Sequence, residues 1–394
     1  ESGRTAAPPT ATSTNVGTLV ARASGAPKAD LDVVARLQTG GNPTGYAVAS
    51  DGSGNGAAVV WRNASDATTL YRGYCDTPYL LRCEFPVTYS ANDRTPSTPR
   101  ALADGALGFI VPRLTAGASA DTWFYRITSA GAVSSVNIGT SSATRQSNFV
   151  VLPSGRLVAW LPHSTVLTRM TSYYSDDHGA PWAQLGTFTI DITAIDVLCM
   201  EAVEDLVVGV RSSTGGTTNT QVWTSRDGGA TASLTHNDAT VYYNPRTCTT
   251  LTGGILMLYK DPALIPLAVR RITPGGGIDS TVISAFALAG GTGTTGYAIA
   301  TRDDGTVWAW VFNAHTTRRY AMECAVSRDH GLTWADPAGG QKVYDGAYTS
   351  GAVLGYVALT AGHWRGSMVM LGRTAADTGS DDAIHLMTWG GWES

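Results

Sequence analysis

The amino-acid sequence predicts an all-β protein made of seven copies of one small antiparallel sheet, and three observations support this prediction. A turn of small or acidic residues followed by a short apolar strand recurs about every fifty residues. Glycine accounts for 45 of the 394 residues, as expected of a chain with many tight turns. Charged residues make up only 15% of the chain. The turns lie at Gly52–Gly56, Asp104-Gly105, Ser154-Gly155, Glu204-Asp205, Gly253-Gly254 and Asp304-Gly305, with a looser copy at Gly362–Gly366.

Each repeat is predicted to form four strands. The third repeat shows the pattern most clearly, with predicted strands at Asn148–Leu152, Arg156–Leu161, Thr168–Tyr174 and Gln184–Ile190. A repeat of about 40–50 residues that contains only strands is typical of a propeller blade. The sequence therefore predicts a seven-bladed β-propeller of four-stranded antiparallel blades at 45–92, 98–140, 145–190, 193–237, 243–285, 294–345 and 348–392.

The last repeat lacks a fourth strand, because few residues follow Ala383–Thr388. An unassigned strand-like segment lies near the other terminus, at residues 31–37. We expect this segment to join the last blade and close the ring, which would also cover an open sheet edge. The domain division is then a propeller over residues 30–394 and an extended arm or linker over residues 1–29, and the arm could dock onto a protein partner.

Composition excludes several classes of function. The net charge of −4 and the lack of a basic tract argue against nucleic-acid binding. No apolar run approaches the length of about 18 residues that a membrane span needs. The seven histidines show no metal-ligand spacing, so neither a metal nor another cofactor is expected.

The five cysteines are an odd number, so at least one has no partner within the chain. Cys75 and Cys83 flank a predicted hairpin and are either a disulfide, which would indicate an oxidising compartment, or two unpaired thiols. Cys199 and Cys248 each lie seven residues before an equivalent apolar strand. We expect them to be free core residues at matching positions of neighbouring blades.

A second signature lies between the third and fourth strands of three repeats, and it resembles the Asp box, S-x-D-x-G-x-[ST]-W, of the sialidase-like (BNR repeat) β-propeller superfamily. The second copy has Ala232 in place of the tryptophan. The resemblance implies a structural role for these residues, in which the aspartate binds its own turn and the tryptophan packs between sheets. The matching positions are Ser175, Asp177, Gly179 and Trp182; Ser225, Asp227 and Gly229; and Ser327, Asp329, Gly331 and Trp334.

The same resemblance implies that ligands bind on the opposite face, which carries the loops that connect consecutive blades and those that connect second and third strands. This predicted face is rich in arginine, tyrosine, asparagine, serine and threonine. The predicted ligand-binding residues are Arg100, Arg145, Arg211, Tyr243, Arg246, His315 and Tyr348.

Three functions fit this face. A carbohydrate-binding module is favoured because arginine and tyrosine suit sugar hydroxyls and ring faces while complete catalytic motifs are missing. A sialidase would use Arg145 and Arg211 with Tyr348 as nucleophile, but the glutamate expected near Asp196 is absent. A polysaccharide lyase acting on acidic glycan would use His163, Tyr243, Arg246 or His315.

The chain also resembles the distal domains of phage tail or fibre proteins, which implies an extracellular or virion-surface location and a cell-surface glycan as partner.

Overall fold

The computed structural model describes side chains for residues 97–335 with gaps, of which the largest are 191–198, 212–218, 240–244, 260–267, 280–296 and 310–324. Outside this range it describes the backbone of strands only. The described residues form strands, turns and bends, with no helix among them. Accordingly, the described part of the chain has no helix that is long and apolar enough to span a membrane.

The chain divides into two compact units. The first contains residues 1–91, 288–329 and 333–394, and the second contains residues 92–287 and 330–332. In the first unit, β1 (Gly17–Thr18) and β2 (Asp32–Gln38) precede a four-stranded sheet, sheet 1. Sheet 1 consists of β3 (Pro43–Ser50), β4 (Ala57–Asn63), β5 (Thr69–Thr77) and β6 (Leu80–Thr88).

The second unit holds four four-stranded antiparallel sheets, each a meander of consecutive strands. Sheet 2 is β7 (Arg100–Ala101), β8 (Leu107–Ala116), β9 (Ser119–Ile127) and β10 (Val133–Ser142). Sheet 3 is β11 (Asn148–Val151), β12 (Leu157–Pro162), β13 (Arg169–Ser175) and β14 (Ala183–Thr189). Sheet 4 is β15 (Val197–Val203), β16 (Leu206–Ser213), β17 (Asn219–Ser225) and β18 (Ser233–Asp238). Sheet 5 is β19 (Tyr243–Thr249), β20 (Ile255–Lys260), β21 (Ala268–Ile272) and β22 (Ile283–Ser284).

The remaining strands return to the first unit. Sheet 6 is β23 (Gly291–Thr301), β24 (Val307–His315), β25 (Ala321–Ser327) and β26 (Tyr344–Asp345). Sheet 7 combines β27 (Val357–Ala361), β28 (Met368–Thr374) and β29 (Ala383–Trp389) with β2 and β1. In this sheet β2 pairs with β29 and β1 pairs with β2, so β2 is the fourth strand.

The observed sheets match the predicted spans, and the strand expected near residues 31–37 does pair with the last sheet. Within residues 1–29, which are predicted to form an extended arm or linker, Gly17–Thr18 pairs with Leu37 and Arg36. This short extended segment covers an edge of β2 that would otherwise be open.

In the second unit the core lies between the faces of consecutive sheets. Phe124 of sheet 2 and Phe149 of sheet 3 meet edge to face, with ring centroids 5.7 Å apart. Trp160 and Phe188 of sheet 3 form a cluster with Trp223 of sheet 4. Burial also changes across each sheet: β12 is buried throughout, whereas the outer strand β14 is mostly exposed. This gradient explains why the second strands are the most apolar segments of the repeats.

The turns between first and second strands contain residues in the left-handed region. Gly105, Gly155 and Gly253 have φ of 78°, 85° and 77°. In sheet 4 the turn is shortened to two residues, because Val203 pairs directly with Leu206, and Glu204 takes a φ of 53°. A side chain in this region costs about 1–2 kcal/mol, so Glu204 carries backbone strain that glycine avoids in the other repeats.

Candidate functional site

The first strands of sheets 2 to 5 are edge strands, so part of their backbone is free to bind side chains. Polar side chains from three of these strands meet in one group, which we call the first-strand cluster. Its members are Arg100 of β7, Cys199 and Glu201 of β15, and Arg246 and Thr247 of β19.

Arg100 connects three sheets. Its Nε donates to the carbonyl of Phe149 on β11 at 3.0 Å, and Nη2 donates to the carbonyl of Met200 on β15. Its guanidinium also forms a bidentate ion pair with Glu201, with Nη1 to Oε2 at 3.0 Å and Nη2 to Oε1 at 3.3 Å. The Arg100 donors are thus largely used within the protein. Through them this residue of sheet 2 binds the first strands of sheets 3 and 4.

Strand alternation places Glu201 in this group. Met200 packs in the core between sheets 3 and 4, whereas Cys199 packs against the core between sheets 4 and 5. Because side chains alternate along a strand, Glu201 shares the face of Cys199. It accepts a hydrogen bond from Thr247 Oγ1 at 3.3 Å, and its side chain is only 12% exposed.

Arg246 and Cys199 form the other half of the cluster. The Cys199 thiol donates to the carbonyl of Pro245 at 2.7 Å and also hydrogen-bonds Arg246. Burial raises the pKa of the Cys199 thiol, against the opposing influence of Arg246. The thiol is therefore protonated at neutral pH. Within the described part of the chain, neither Cys199 nor Cys248 forms a disulfide.

Arg246 differs from Arg100 in its partners. No ion pair joins Arg246 to a carboxylate among the residues with described side chains, and the residue is half-buried. Glu201 balances the charge of Arg100. The described members of the cluster therefore carry one positive charge in excess.

Two of the predicted ligand-binding arginines are buried elsewhere in the second unit. Arg145 is 6% exposed in the segment that leads into β11. Arg211 is 1% exposed and donates to Asn219 Oδ1 at 3.3 Å. Its side chain borders a small apolar cavity between sheets 3 and 4, which is lined by Trp160, Met170, Phe188, Ile190, Gly209 and Trp223.

The remaining candidates are described less completely. Tyr243 begins β19 and His315 ends β24, but their side chains are not described, and Tyr348 lies outside the described residues. His163 follows β12, and its Nδ1 accepts backbone N–H groups of Thr165 at 3.2 Å and Val166 at 3.1 Å. These contacts occupy Nδ1 within its own loop. The proposed roles of all four residues remain predictions.

The three segments that resemble Asp boxes, at 175–182, 225–232 and 327–334, form turns that we call the box turns. In the second, Asp227 accepts the backbone N–H of Thr231 at 3.0 Å and its hydroxyl at 2.6 Å, and Ser225 donates to Asp227 at 2.7 Å. Asp329 makes the same contacts with Thr333 and Ser327. Although burial opposes the change, these hydrogen bonds lower the pKa of Asp227 and Asp329.

The box glycines also fix the spacing between sheets. Gly179, Gly229 and Gly331 have φ of 104°, 93° and 89°. A Cβ on Gly179 would lie 2.0 Å from Phe124 of sheet 2, and one on Gly229 would lie 2.4 Å from Val158 of sheet 3. Trp182 packs on Phe124 with ring centroids 5.3 Å apart. The described box residues therefore contact their own turns and the neighbouring sheet.

The predicted disulfide lies on strands whose side chains are not described. Cys75 of β5 is opposite Leu81, and Cys83 of β6 is opposite Gly73. The two cysteines are therefore diagonal neighbours on adjacent strands and not a direct cross-strand pair. The disulfide remains a prediction.

Sequence analysis missed Glu201, Cys199 and Thr247 as members of a site. One signal was available, because Glu201 is the charged residue in the otherwise apolar segment Val197–Val203. The glutamate sought near Asp196 as a partner for Arg211 has no counterpart in the cluster, where Glu201 instead pairs with Arg100.

Neither a protein-family model nor a curated protein matches the sequence. Among solved structures, the chain resembles an ulvan lyase of a new polysaccharide lyase family, determined with a saccharide of glucuronic acid and 3-sulfated rhamnose. The TM-score is 0.54 at 9% identity, over 89% of this chain and 97% of that one.

Two sialidases are also similar. A Hadza microbial sialidase has a TM-score of 0.46 at 14% identity, over 84% of this chain and 76% of that one. The Trypanosoma rangeli sialidase has a TM-score of 0.46 at 9% identity, over 90% of this chain and 56% of that one. Of these three structures, the ulvan lyase is the one whose likeness shows a shared fold. This shared fold supports the predicted β-propeller-like architecture.

Proposed function

We propose that the seven sheets close into a seven-bladed β-propeller, with β2 completing the last blade. Support comes from the repeated four-strand order, the pairing of β2 with β29, and the cores between consecutive sheets of the second unit. Deleting residues 32–38 should then remove the outer part of sheet 7 and lower Tm steeply in a thermal melt. A Tm within about 2 °C of the intact chain would contradict ring closure by β2.

The propeller recognises carbohydrate outside the cell or at a cell or virion surface, through the first-strand cluster. One observation carries this proposal: donors and acceptors from three sheets converge there, and Arg246 supplies a positive charge that no described carboxylate balances. A guanidinium and a hydroxyl are suitable partners for the oxygen atoms of a sugar. A carboxylate or sulfate on the sugar would pair with Arg246 by charge-assisted hydrogen bonds.

Arg246 is thus the proposed ligand contact, whereas Arg100 positions the cluster. The two roles differ because Arg100 already binds Glu201 and two backbone carbonyls. Arg145, Arg211, Tyr243, His315 and Tyr348 remain proposed as further ligand contacts, and the residues 1–29 as a docking segment for a protein partner.

Titration calorimetry with uronate-containing and neutral oligosaccharides tests the binding role. The variant Arg246→Gln should weaken uronate binding at least about tenfold, since a hydrogen bond to a charged group contributes about 1.5–3 kcal/mol. The matched control is Arg226→Gln, which removes an exposed arginine outside the cluster and should bind as the wild type does. Equal uronate affinity in wild type and Arg246→Gln would refute the assignment of Arg246.

The second candidate is a glycan-degrading enzyme, either a polysaccharide lyase or a sialidase-like hydrolase. The fold shared with an ulvan lyase favours the lyase of these two. Incubation with acidic polysaccharides distinguishes the possibilities. An absorbing unsaturated uronate indicates a lyase, and free sialate or new reducing ends indicate a hydrolase. Saturable binding with none of these products supports the binding module.

A further inference from the structure

A second polar group connects the fourth strand of sheet 4 with the third strand of sheet 5, away from the first-strand cluster. Asp238 ends β18, and its Oδ2 lies 3.5 Å from Arg270 Nη2 of β21. Arg270 Nε also donates to the hydroxyl of Tyr259, which is fully buried on β20. The Asp238–Arg270 pair is therefore a charged contact between two sheets, with the side chains only 21% and 14% exposed.

His236 lies two residues before Asp238 on the same strand and on the same face. Its Nε2 is buried and makes no hydrogen bond within the described part of the chain. That atom lies 3.9 Å from the same Oδ2 of Asp238 that faces Arg270. One carboxylate oxygen is thus adjacent to a guanidinium from the neighbouring sheet and an imidazole from its own strand.

We propose that protonation of His236 is an acid-operated switch of the contact between sheets 4 and 5, in which Asp238 changes its partner from Arg270 to His236. At neutral pH the ring is uncharged and Asp238 pairs with Arg270. In acid the protonated Nε2 becomes a charged donor that can pair with Asp238 Oδ2, 3.9 Å away. The new cation also repels Arg270, so the contact between the sheets weakens.

The surroundings of His236 lower its pKa on balance. Burial lowers the pKa of His236 below its ordinary value of 6.5, and Arg270 lowers it further, while Asp238 acts in the opposite direction. Tyr259 contacts Arg270, and Val222 faces His236 across β17. Because the folded protein binds this proton less tightly than the unfolded chain, its stability is highest above pH 6.5 and declines as the pH falls through that value.

The switch concerns the two sheets that also carry the first-strand cluster, because Glu201 is on β15 of sheet 4 and Arg246 is on β19 of sheet 5. The proposal itself does not depend on the glycan, and its test uses no ligand. A failed glycan assay therefore leaves it intact.

The test is the Tm of wild type and His236→Gln from about pH 8 to about pH 5, combined with an NMR titration of the imidazoles. Wild type should lose about 2–4 °C across the titration of His236 beyond the loss shown by His236→Gln, which cannot be protonated there. Parallel Tm profiles would overturn the proposal.

Arg270→Gln gives a readout that a merely structural role would not change. Removing this guanidinium removes a cation that lowers the pKa of His236, so that pKa should rise. Asp238→Asn should lower it, because the attracting carboxylate is lost. The same His236 titration curve in wild type and both variants would refute the exchange of partners, even if the variants were less stable.

Discussion

The box turn at 225–232 and the first-strand cluster both lie in the second unit and are polar and partly buried, but they are built over very different sequence distances. In the box turn at 225–232, Ser225 binds Gly229 and Asp227 binds Thr231, each four residues away. In the cluster, Arg100 binds groups that are 49, 100 and 101 residues away. A box turn needs only the few residues of its own segment in order to form. The cluster, in contrast, forms only when several sheets have packed together. From this comparison we expect local turns to set the spacing of the sheets, and the long-range ion pair to depend on that spacing.

The largest expected effect tests whether the box turns set that spacing. In Gly179→Ala the new Cβ would lie 2.0 Å from Phe124 at a φ of 104°, so overpacking and backbone strain add to about 3–5 kcal/mol of lost stability. Gly105→Ala is the matched control, because its φ is 78° but no atom lies within 4 Å of the new Cβ. This control should lose only about 1–2 kcal/mol. Equal losses in urea denaturation would show that the contact with Phe124 has no special importance.

This difference explains how much could be predicted from the sequence. The repeats, the strand order and the box turns follow from patterns within about fifty residues, so they were visible in the chain. The pairing of β2 with β29 was predictable because the last repeat lacked a strand. The partners of Arg100 were not, since Glu201 and Thr247 meet it only through the packing of separate sheets. Arg211 was predicted on a rim by its loop position, but sequence carries no signal that its side chain borders an apolar cavity.

The next effect tests the long-range half of the comparison. Glu201→Gln should lower the free energy of unfolding by about 2–3 kcal/mol, because Arg100 would keep a largely buried charge without its partner. Asp205→Asn breaks the Arg226 pair, whose side chains are 49% and 63% exposed, and should change stability by about 0.5 kcal/mol or less. Chemical denaturation of both variants measures the contrast. A loss in Glu201→Gln no larger than that in Asp205→Asn would mean that the cluster contributes little to stability.

The smallest effect sharpens the comparison within the box turns. The turn at 175–182 has Pro181 where the other two have threonine, so no N–H or hydroxyl is available there to Asp177. Asp227→Ala should therefore lose about 1–2 kcal/mol, whereas Asp177→Ala should be nearly neutral. Thermal unfolding of the two variants at neutral pH gives the difference, and equal losses would contradict a specific role for the threonine.

The pH dependence of these two variants supplies a further check. The pKa of Asp227 is lowered in the folded state, so its contribution is present above the ordinary value of 3.8 and is lost as the pH falls below it. The stability gap between wild type and Asp227→Ala should accordingly close in acid. A gap that stayed constant down to about pH 3 would indicate that the carboxylate charge is not what holds the turn.

The pairing of β2 with β29 has a consequence for how the polypeptide acquires its structure during synthesis. Sheets 1 to 6 are local meanders, so each can assemble soon after its residues leave the ribosome. Sheet 7 cannot, because Gln38 must wait for Ala383. Until β29 has been translated, the nascent chain therefore has an unpaired hydrogen-bonding edge at Asp32–Gln38. A chaperone or a second nascent chain would compete for this segment.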